Sequence, residues 1–224
     1  MNVGLRAFAS GLCGLVIFGL VVFYPAGTLH YWQGWVFVAI FTVATIAPSV
    51  YLARNNPAAL QRRMHVGPKA ETRIVQKFII VAAFVAVFAM TILSALDYRF
   101  GWSSVPMAVT LLGDVLVATG LSVAMLTIIQ NSYAAATVTV EADQHVVSTG
   151  LYGQVRHPMY VGNVILMVGI PLALGSYWGL VVFIPALAVL VLRILDEERA
   201  LVDGLEGYGD YMQRVRYRLV PHVW

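Results

Sequence analysis

The chain has 224 residues, of which 60% are apolar and 11% are charged, and its mean hydropathy is +0.80. It has too few polar side chains to cover a water-soluble globule, which excludes the soluble enzyme classes and predicts an integral membrane protein. The net charge of +3 comes from basic residues grouped in particular loops, and this pattern favours orientation in a membrane over binding of nucleic acid.

Hydrophobic runs along the chain predict an all-α bundle of about six transmembrane helices, since about 20 residues cross roughly 30 Å of hydrocarbon. The runs are Leu5–Tyr24, Trp32–Leu52, Phe78–Leu96, Met107–Ile129, His157–Leu174 and Trp178–Leu195. Only Gly175–Tyr177 separates the last two, which are therefore predicted to form a tight antiparallel hairpin. No domain boundary is visible. We predict one membrane-embedded domain over 1–224, with four helices in 1–129 and the functional region in 130–224.

The distribution of basic residues predicts how the bundle is oriented, because cytoplasmic loops collect Lys and Arg. The loop after the second run carries one acid, Glu71, and six bases: Arg54, Arg62, Arg63, Lys69, Arg73 and Lys77. A cytosolic position for this loop predicts that both termini and the 130–160 connection are also cytosolic. The opposite loops carry aromatic residues suited to a membrane interface: Tyr31, Trp32, Trp35, Tyr98, Trp102, Tyr177 and Trp178.

A polar turn in front of the fifth run is the first candidate site. Arg156, His157 and Tyr160 surround Pro158, which suits the first turn of a helix, so we expect the helix to begin near His157. The positive end of its dipole and the Arg156 guanidinium would both favour an anionic ligand. Alternatively, Arg156 reaches the lipid headgroups and His157 caps the helix.

A second polar cluster ends the sixth run. Arg193 and Glu197 are four residues apart and therefore share a helix face. Alternatively, the helix continues past Leu201 as a solvated amphipathic segment. Because the two clusters begin and end the same predicted hairpin, we expect them to meet in a cytosol-facing pocket with charges of both signs. Arg156, Arg193 and Glu197 are the candidate catalytic residues of this pocket.

Three segments carry a resemblance to a known family. They are Gln144–Gly162, the Glu197-Glu198-x-x-Leu201 element and the closing Tyr208-x-x-Tyr211-x-x-Arg214-Val215…Pro221. In these segments, roughly the C-terminal third, the chain resembles the isoprenylcysteine carboxyl methyltransferases, within the wider group that includes phospholipid N-methyltransferases. The resemblance implies an all-helical membrane enzyme that uses S-adenosylmethionine, releases S-adenosylhomocysteine and has no Rossmann domain.

The same resemblance implies roles for individual residues. The cofactor would be bound by Gln144, His145, Val146, Val147, Tyr152, His157, Pro158, Met159, Tyr160 and Glu197. Arg193 would hold the substrate carboxylate, and Gln144 stands where the carboxyl methyltransferases have a histidine. The implied reaction is carboxyl methylation of an isoprenylcysteine-like acceptor at the membrane. A phospholipid amine or a small thiol stays open as the acceptor, and so does the oligomeric state.

Two other functions remain open from the sequence. Membrane sterol reductases, which use NADPH, resemble the chain in the same region, including the ending Val215–Trp224, but usually have more spans. A transporter or scaffold is suggested by Asp114 inside the fourth run, although a structural hydrogen bond to a neighbouring helix suits this residue equally well. No metal site is predicted, because His145 and His157 are twelve residues apart without a cysteine. The repeated glycines Gly113, Gly120, Gly175 and Gly179 are predicted to be packing or turn positions.

Overall fold

The structure of the protein is a computed structural model that describes residues 3–64, 67–71, 73–134, 137 and 143–224. Over these residues it is helical without any β-strand, which confirms the predicted all-α class. The helices are α1 (Val3–Ala26), α2 (Trp32–Asn55), α3 (Pro57–Met64), α4 (Ile74–Phe100), α5 (Met107–Gln130), α6 (Pro158–Ala173), α7 (Phe183–Gly204) and α8 (Tyr208–Arg214). Two short 3₁₀ turns, Gly150–Gly153 and Trp178–Val182, precede α6 and α7.

Four helices of the described part are long and apolar enough to cross a membrane: Trp32–Asn55, Ile74–Phe100, Met107–Gln130 and Trp178–Gly204. The helix Pro158–Ala173 is apolar but shorter. All six predicted runs are helical, but a count of six spans is not confirmed. The 16 residues of α6 extend only about 24 Å, less than the hydrocarbon thickness of a typical membrane.

Close packing of α6 on α5 depends on four glycines. A Cβ atom at Gly120 would lie 2.6 Å from the carbonyl oxygen of Gly162, and one at Gly162 would lie 2.6 Å from that of Gly120. Two helical turns away, Gly113 faces the backbone of Ala173, and Gly169 lies against α5. The backbones touch where no side chain fits between them, so the predicted packing role of Gly113 and Gly120 is confirmed.

The predicted tight hairpin of the last two helices is not confirmed. The turn between them is present, and Gly175 adopts a φ of +65° there, which favours glycine. However, α6 packs mainly on α5, and α7 packs mainly on α4. The start of α6 and the end of α7 still meet through polar side chains.

A buried carboxylate joins the turns at the end of the bundle opposite the polar cluster. Asp97 accepts hydrogen bonds from the Ser176 hydroxyl at 2.5 Å and from the Ser103 backbone N–H at 2.7 Å. The predicted aromatic residues lie at this end, where the rings of Trp102 and Trp178 are about half exposed. Tyr31 differs from them, because it is fully buried and donates to the Leu174 carbonyl. The interior polar bonds fix the loop geometry at this end.

Asp114 is buried in α5, and its expected structural hydrogen bond is absent. Neither carboxyl oxygen has a hydrogen-bond partner within the described ranges of the chain. The expectation of a partner on an adjacent helix was therefore wrong for these residues.

Candidate active site

The polar turn before α6 is formed as predicted. His157 is the residue before the helix, and Pro158 occupies its first turn, where the absent N–H is not needed. The preceding 3₁₀ turn is tied to α5, because the Leu151 N–H donates to the Gln130 side chain at 2.9 Å. The turn also pairs with the end of the chain. The N–H groups of Arg156 and His157 donate to the carbonyls of Tyr217 and Arg218 at 2.9 and 3.0 Å.

Glu198 lies at the centre of a buried ionic network that joins α6, α7 and the C-terminal segment. Its Oε1 accepts from Arg156 Nε at 2.7 Å and lies 3.1 Å from His157 Nε2, while Oε2 accepts from Arg218 Nε at 2.8 Å. Arg156 also donates to the carbonyls of Val215 and Arg216. The Arg156 guanidinium is therefore bound by protein groups. It links the turn before α6 to α7 and to the C-terminal segment.

Glu197, the neighbouring acid, belongs to a different network. The Tyr160 hydroxyl donates to Glu197 Oε2 at 2.5 Å and accepts from Arg193 Nε at 2.9 Å. Arg193 Nη1 donates to Gln76 Oε1 at 2.9 Å and to Glu71 Oε1 at 3.2 Å. A chain of polar contacts thus runs from Glu197 through Tyr160 and Arg193 to the segment before α4.

The segment before α4 and the first turn of α4 are attached to α7 by a further pair of contacts. Gln76 donates to Asp196 Oδ2 at 2.6 Å, and Arg73 Nη2 lies 2.9 Å from Asp196 Oδ1. In the sequence analysis the charges of this region served only to predict the orientation of the bundle. The contribution of Glu71 and Gln76 to the site was therefore missed. Both are buried polar residues whose partners lie more than one hundred positions away, and no spacing rule could indicate them.

All of the residues that were predicted to contact the cofactor line one cavity. Its walls include Gln144, His145, Val146, Val147, Tyr152, His157, Pro158, Met159, Tyr160 and Glu197. Arg156 also reaches the cavity, whereas Arg193 lies behind Tyr160 and is not part of the wall. The structure therefore brings the two predicted clusters together, at the end of the bundle where α5 ends and α6 begins.

Several residues of the wall were not predicted from the sequence. They come from the end of α5, from α7 and from α8: Asn131, Tyr133, Leu201, Leu205, Tyr208 and Tyr211. The closing Tyr208-x-x-Tyr211 pattern was a signal that could have found the last two. Their spacing of three places both phenols on one face of α8, and this face packs against the cavity.

The tyrosines of the wall provide neutral hydrogen-bonding groups. Burial raises the pKa of Tyr152 to about 12, and its hydroxyl accepts from Asn131 Nδ2 at 3.3 Å. Tyr211 donates to the Tyr152 carbonyl at 2.8 Å. Burial also raises the pKa of Tyr208, whose hydroxyl has no hydrogen-bond partner among the residues that the structure describes. A buried phenol without a partner costs free energy, so a ligand that bonds to it would be stabilised.

These groups fit the methyl donor that the resemblance implies. The Glu197 carboxylate, whose side chain is 25% exposed, suits the ammonium group of an amino acid. The tyrosine, His145 and Gln144 side chains suit ribose hydroxyls and a carboxylate, and Val146, Val147 and Met159 offer apolar contact. The unbonded Tyr208 hydroxyl is the observation that points most directly to a polar ligand.

Comparison with known protein families gives a match over part of the chain. Residues 108–208 match the family model described as phospholipid methyltransferase. This segment, which is less than half of the chain, is similar to the phospholipid methyltransferases. The match confirms the predicted resemblance to the membrane methyltransferases, a group in which phospholipid and isoprenylcysteine carboxyl methyltransferases are related. A search of curated proteins finds no match.

The phospholipid methyltransferase segment covers most of the cavity but not all of its supports. It contains α6 and the part of α7 that carries Arg193, Glu197 and Glu198. Arg218 and the segment with Glu71 and Gln76 lie outside it. The ionic and polar networks of the site therefore extend beyond the part of the chain that the family model describes.

Proposed function

We propose that the protein is an integral membrane methyltransferase that uses S-adenosylmethionine and acts on a lipid-like acceptor. The observation that carries the proposal is the arrangement of the ten predicted cofactor residues around one cavity, within the phospholipid methyltransferase segment. Glu197 and the tyrosine hydroxyls would hold the donor, together with Gln144, His145 and His157. Bound S-adenosylmethionine would supply a methyl group on a positively charged sulfur.

The residues of this chain would act by alignment and by exclusion of water. Tyr160 is fixed between Glu197 and Arg193, so its hydroxyl position does not depend on solvent. An ionised carboxylate is already a nucleophile and needs no general base. Holding two reactants in line can lower a reaction barrier by several kcal/mol, and an apolar environment removes the competing water.

For the acceptor, we propose the carboxylate of an isoprenylcysteine-like lipid, held by Arg193. The guanidinium is buried behind Tyr160 and already donates to Tyr160, Gln76 and Glu71, so the acceptor carboxylate would bind its planar edge beside or in place of these partners. A phospholipid amine is the second candidate, and the description of the matching family favours it. An amine acceptor would need to lose a proton before it is methylated. The partly exposed carboxylate of Glu197 is part of the cavity wall and could accept that proton.

We further propose that the cavity and both termini face the cytosol. The basic loop between α2 and α4 lies at the end of the bundle that holds the cavity, because Arg73 contacts Asp196 of α7. Placing this end inside follows the preference of Lys and Arg for cytoplasmic loops. Cysteine labelling from either side of intact vesicles, with cysteines introduced at exposed Arg54 and Tyr177, tests the orientation.

Binding of the donor is tested by replacing Glu197 with Gln. We expect the affinity of the purified protein for S-adenosylhomocysteine, measured by calorimetry, to fall about tenfold or more, because charge-assisted hydrogen bonds contribute roughly 1.5–3 kcal/mol. Exposed Glu206 provides the control, and Glu206→Gln should bind as the wild type does. Equal affinity in both variants, or retention of NADPH in place of S-adenosylhomocysteine, would contradict the proposal.

The acceptor is tested with radiolabelled donor and three compounds: a farnesylated cysteine derivative, phosphatidylethanolamine and a small thiol. We expect label on the carboxylate compound, at a rate that is flat above about pH 6 because a carboxylate is fully ionised there. An amine acceptor would instead show a rate that rises with pH toward its own pKa, near 10. If phosphatidylethanolamine alone is labelled, the carboxylate proposal is wrong and the acceptor is a phospholipid amine.

A further inference from the structure

A second cavity lies between α2, α3 and α5, next to the candidate active site. Its walls are mostly apolar and include Leu52, Leu60, Met125 and Ile128. Arg63, in the last turn of α3, is the charged residue of the wall. It lies one helical turn after buried Ala59 and Leu60, on the face of α3 that packs toward α2 and α5.

Arg63 lacks the partners that the nearby arginines have. Arg62 stacks on the Tyr133 ring at 4.8 Å, and Arg73 binds Asp196. Within the described ranges the Arg63 guanidinium forms no hydrogen bond or ion pair, and the residue is half-buried. Burial lowers the pKa of Arg63, yet a guanidinium remains charged at neutral pH. A partly desolvated cation of this kind is stabilised by a bound anion.

The cavity has room beside Arg63 for a hydrocarbon chain. Ala44, Pro48 and Ala124 line it with small or apolar side chains. The two hydroxyl groups of this wall, Thr45 and Ser49, are already bonded to carbonyls of their own helix. A fixed cation at one end of an apolar space matches a lipid whose charged head is joined to an acyl chain.

We propose that this cavity binds a membrane phospholipid, with its phosphodiester beside Arg63 and an acyl chain between α2 and α5. A methionine cluster separates the lipid from the donor cavity, because Met64, Met125 and Met159 pack on the same apolar cluster and Met159 also lines the donor cavity. Methionine side chains are adaptable, so the two cavities are adjacent across a deformable wall. The inference goes beyond the proposed function and holds whether or not this lipid is methylated.

The test measures lipid binding and not methyl transfer. Purified protein is titrated with palmitoyl-oleoyl phosphatidylglycerol, with the matching uncharged diacylglycerol, or with inorganic phosphate, and native mass spectrometry counts the bound molecules. We expect one phosphatidylglycerol to bind at least about tenfold more tightly than diacylglycerol, as one charge-assisted contact implies. Arg63→Gln should remove this difference, whereas Arg54→Gln, which changes an exposed arginine at the same end of the bundle, should preserve it.

A second pair of variants separates the contribution of the cavity volume to lipid binding from that of the Arg63 charge. Ala44→Leu narrows the cavity and leaves Arg63 in place, so we expect weaker binding of phosphatidylglycerol, whereas Val43→Leu, on the exposed neighbouring position, should have no effect. Unchanged phosphatidylglycerol binding in both Arg63→Gln and Ala44→Leu would overturn the proposal. Binding of inorganic phosphate as tightly as of phosphatidylglycerol would also overturn it, because the acyl chain would then contribute nothing.

Discussion

Replacing Glu198 with Ala should lower the free energy of unfolding by about 3 kcal/mol or more, the range found when one partner of a buried ion pair is removed. The carboxylate is 4% exposed and contacts Arg156, His157 and Arg218. Its loss leaves the buried Arg156 cation with carbonyl partners alone. Denaturant titration in mixed micelles measures the change.

Two controls make the Glu198 result specific. Glu206→Ala removes an exposed carboxylate from the segment after α7 and should change the unfolding free energy by less than about 0.5 kcal/mol. The double variant Glu198→Ala with Arg156→Ala should be more stable than the sum of the two single effects implies, because the residues are in direct contact. Additive effects would show that this ion pair does not stabilise the fold.

Replacing Arg193 with Ala should reduce methyl transfer to a carboxylate acceptor by about 100-fold or more. Loss of two charge-assisted hydrogen bonds removes roughly 3 kcal/mol or more, and each 1.4 kcal/mol changes a rate tenfold. Binding of S-adenosylhomocysteine should remain within about threefold of the wild type, because Tyr160 keeps its hydrogen bond to Glu197. Single-turnover rates and calorimetry on the same preparation measure the two quantities.

The Arg193 variant also tests how this residue acts. A parallel loss of donor binding would mean that Arg193 positions Tyr160 and does not hold the acceptor, since it contacts the Tyr160 hydroxyl at 2.9 Å from behind the cavity wall. Arg199→Ala is the matched control, because Arg199 is exposed on the same helix. Wild-type turnover in Arg193→Ala would exclude this residue from the mechanism.

The helices and the start of α6 were predictable because they depend on local rules. Apolar runs located every long helix, and Pro158 located the first turn of α6 to within one residue. The predicted apolar run ended at Leu195, whereas α7 continues to Gly204, which agrees with the alternative of a helix that runs past Leu201. That alternative expected the polar residues of the helix end to face water, but Asp196 and Glu198 are buried by partners that are distant in sequence. Hydropathy alone cannot distinguish a solvated helix end from one covered by charged partners.

The candidate site was predictable only in part for a similar reason. The residues for which cofactor contacts were predicted surround one cavity, but their roles stay predictions. The sequence interpretation emphasised Glu197 and passed over Glu198, although adjacent helical positions point about 100° apart and so reach different partners. The packing of α6 on α5 had a visible signal in glycines seven residues apart on both helices, whereas the short loop before α7 suggested the wrong neighbour.

The glycine contact between α5 and α6 limits how a membrane-borne molecule can arrive. Where two backbones touch, as at Gly120 and Gly162, a hydrocarbon tail several ångströms wide has no passage between them. A hydrophobic reactant therefore cannot enter from the bilayer between α5 and α6 at this contact, and it must pass beside another helix.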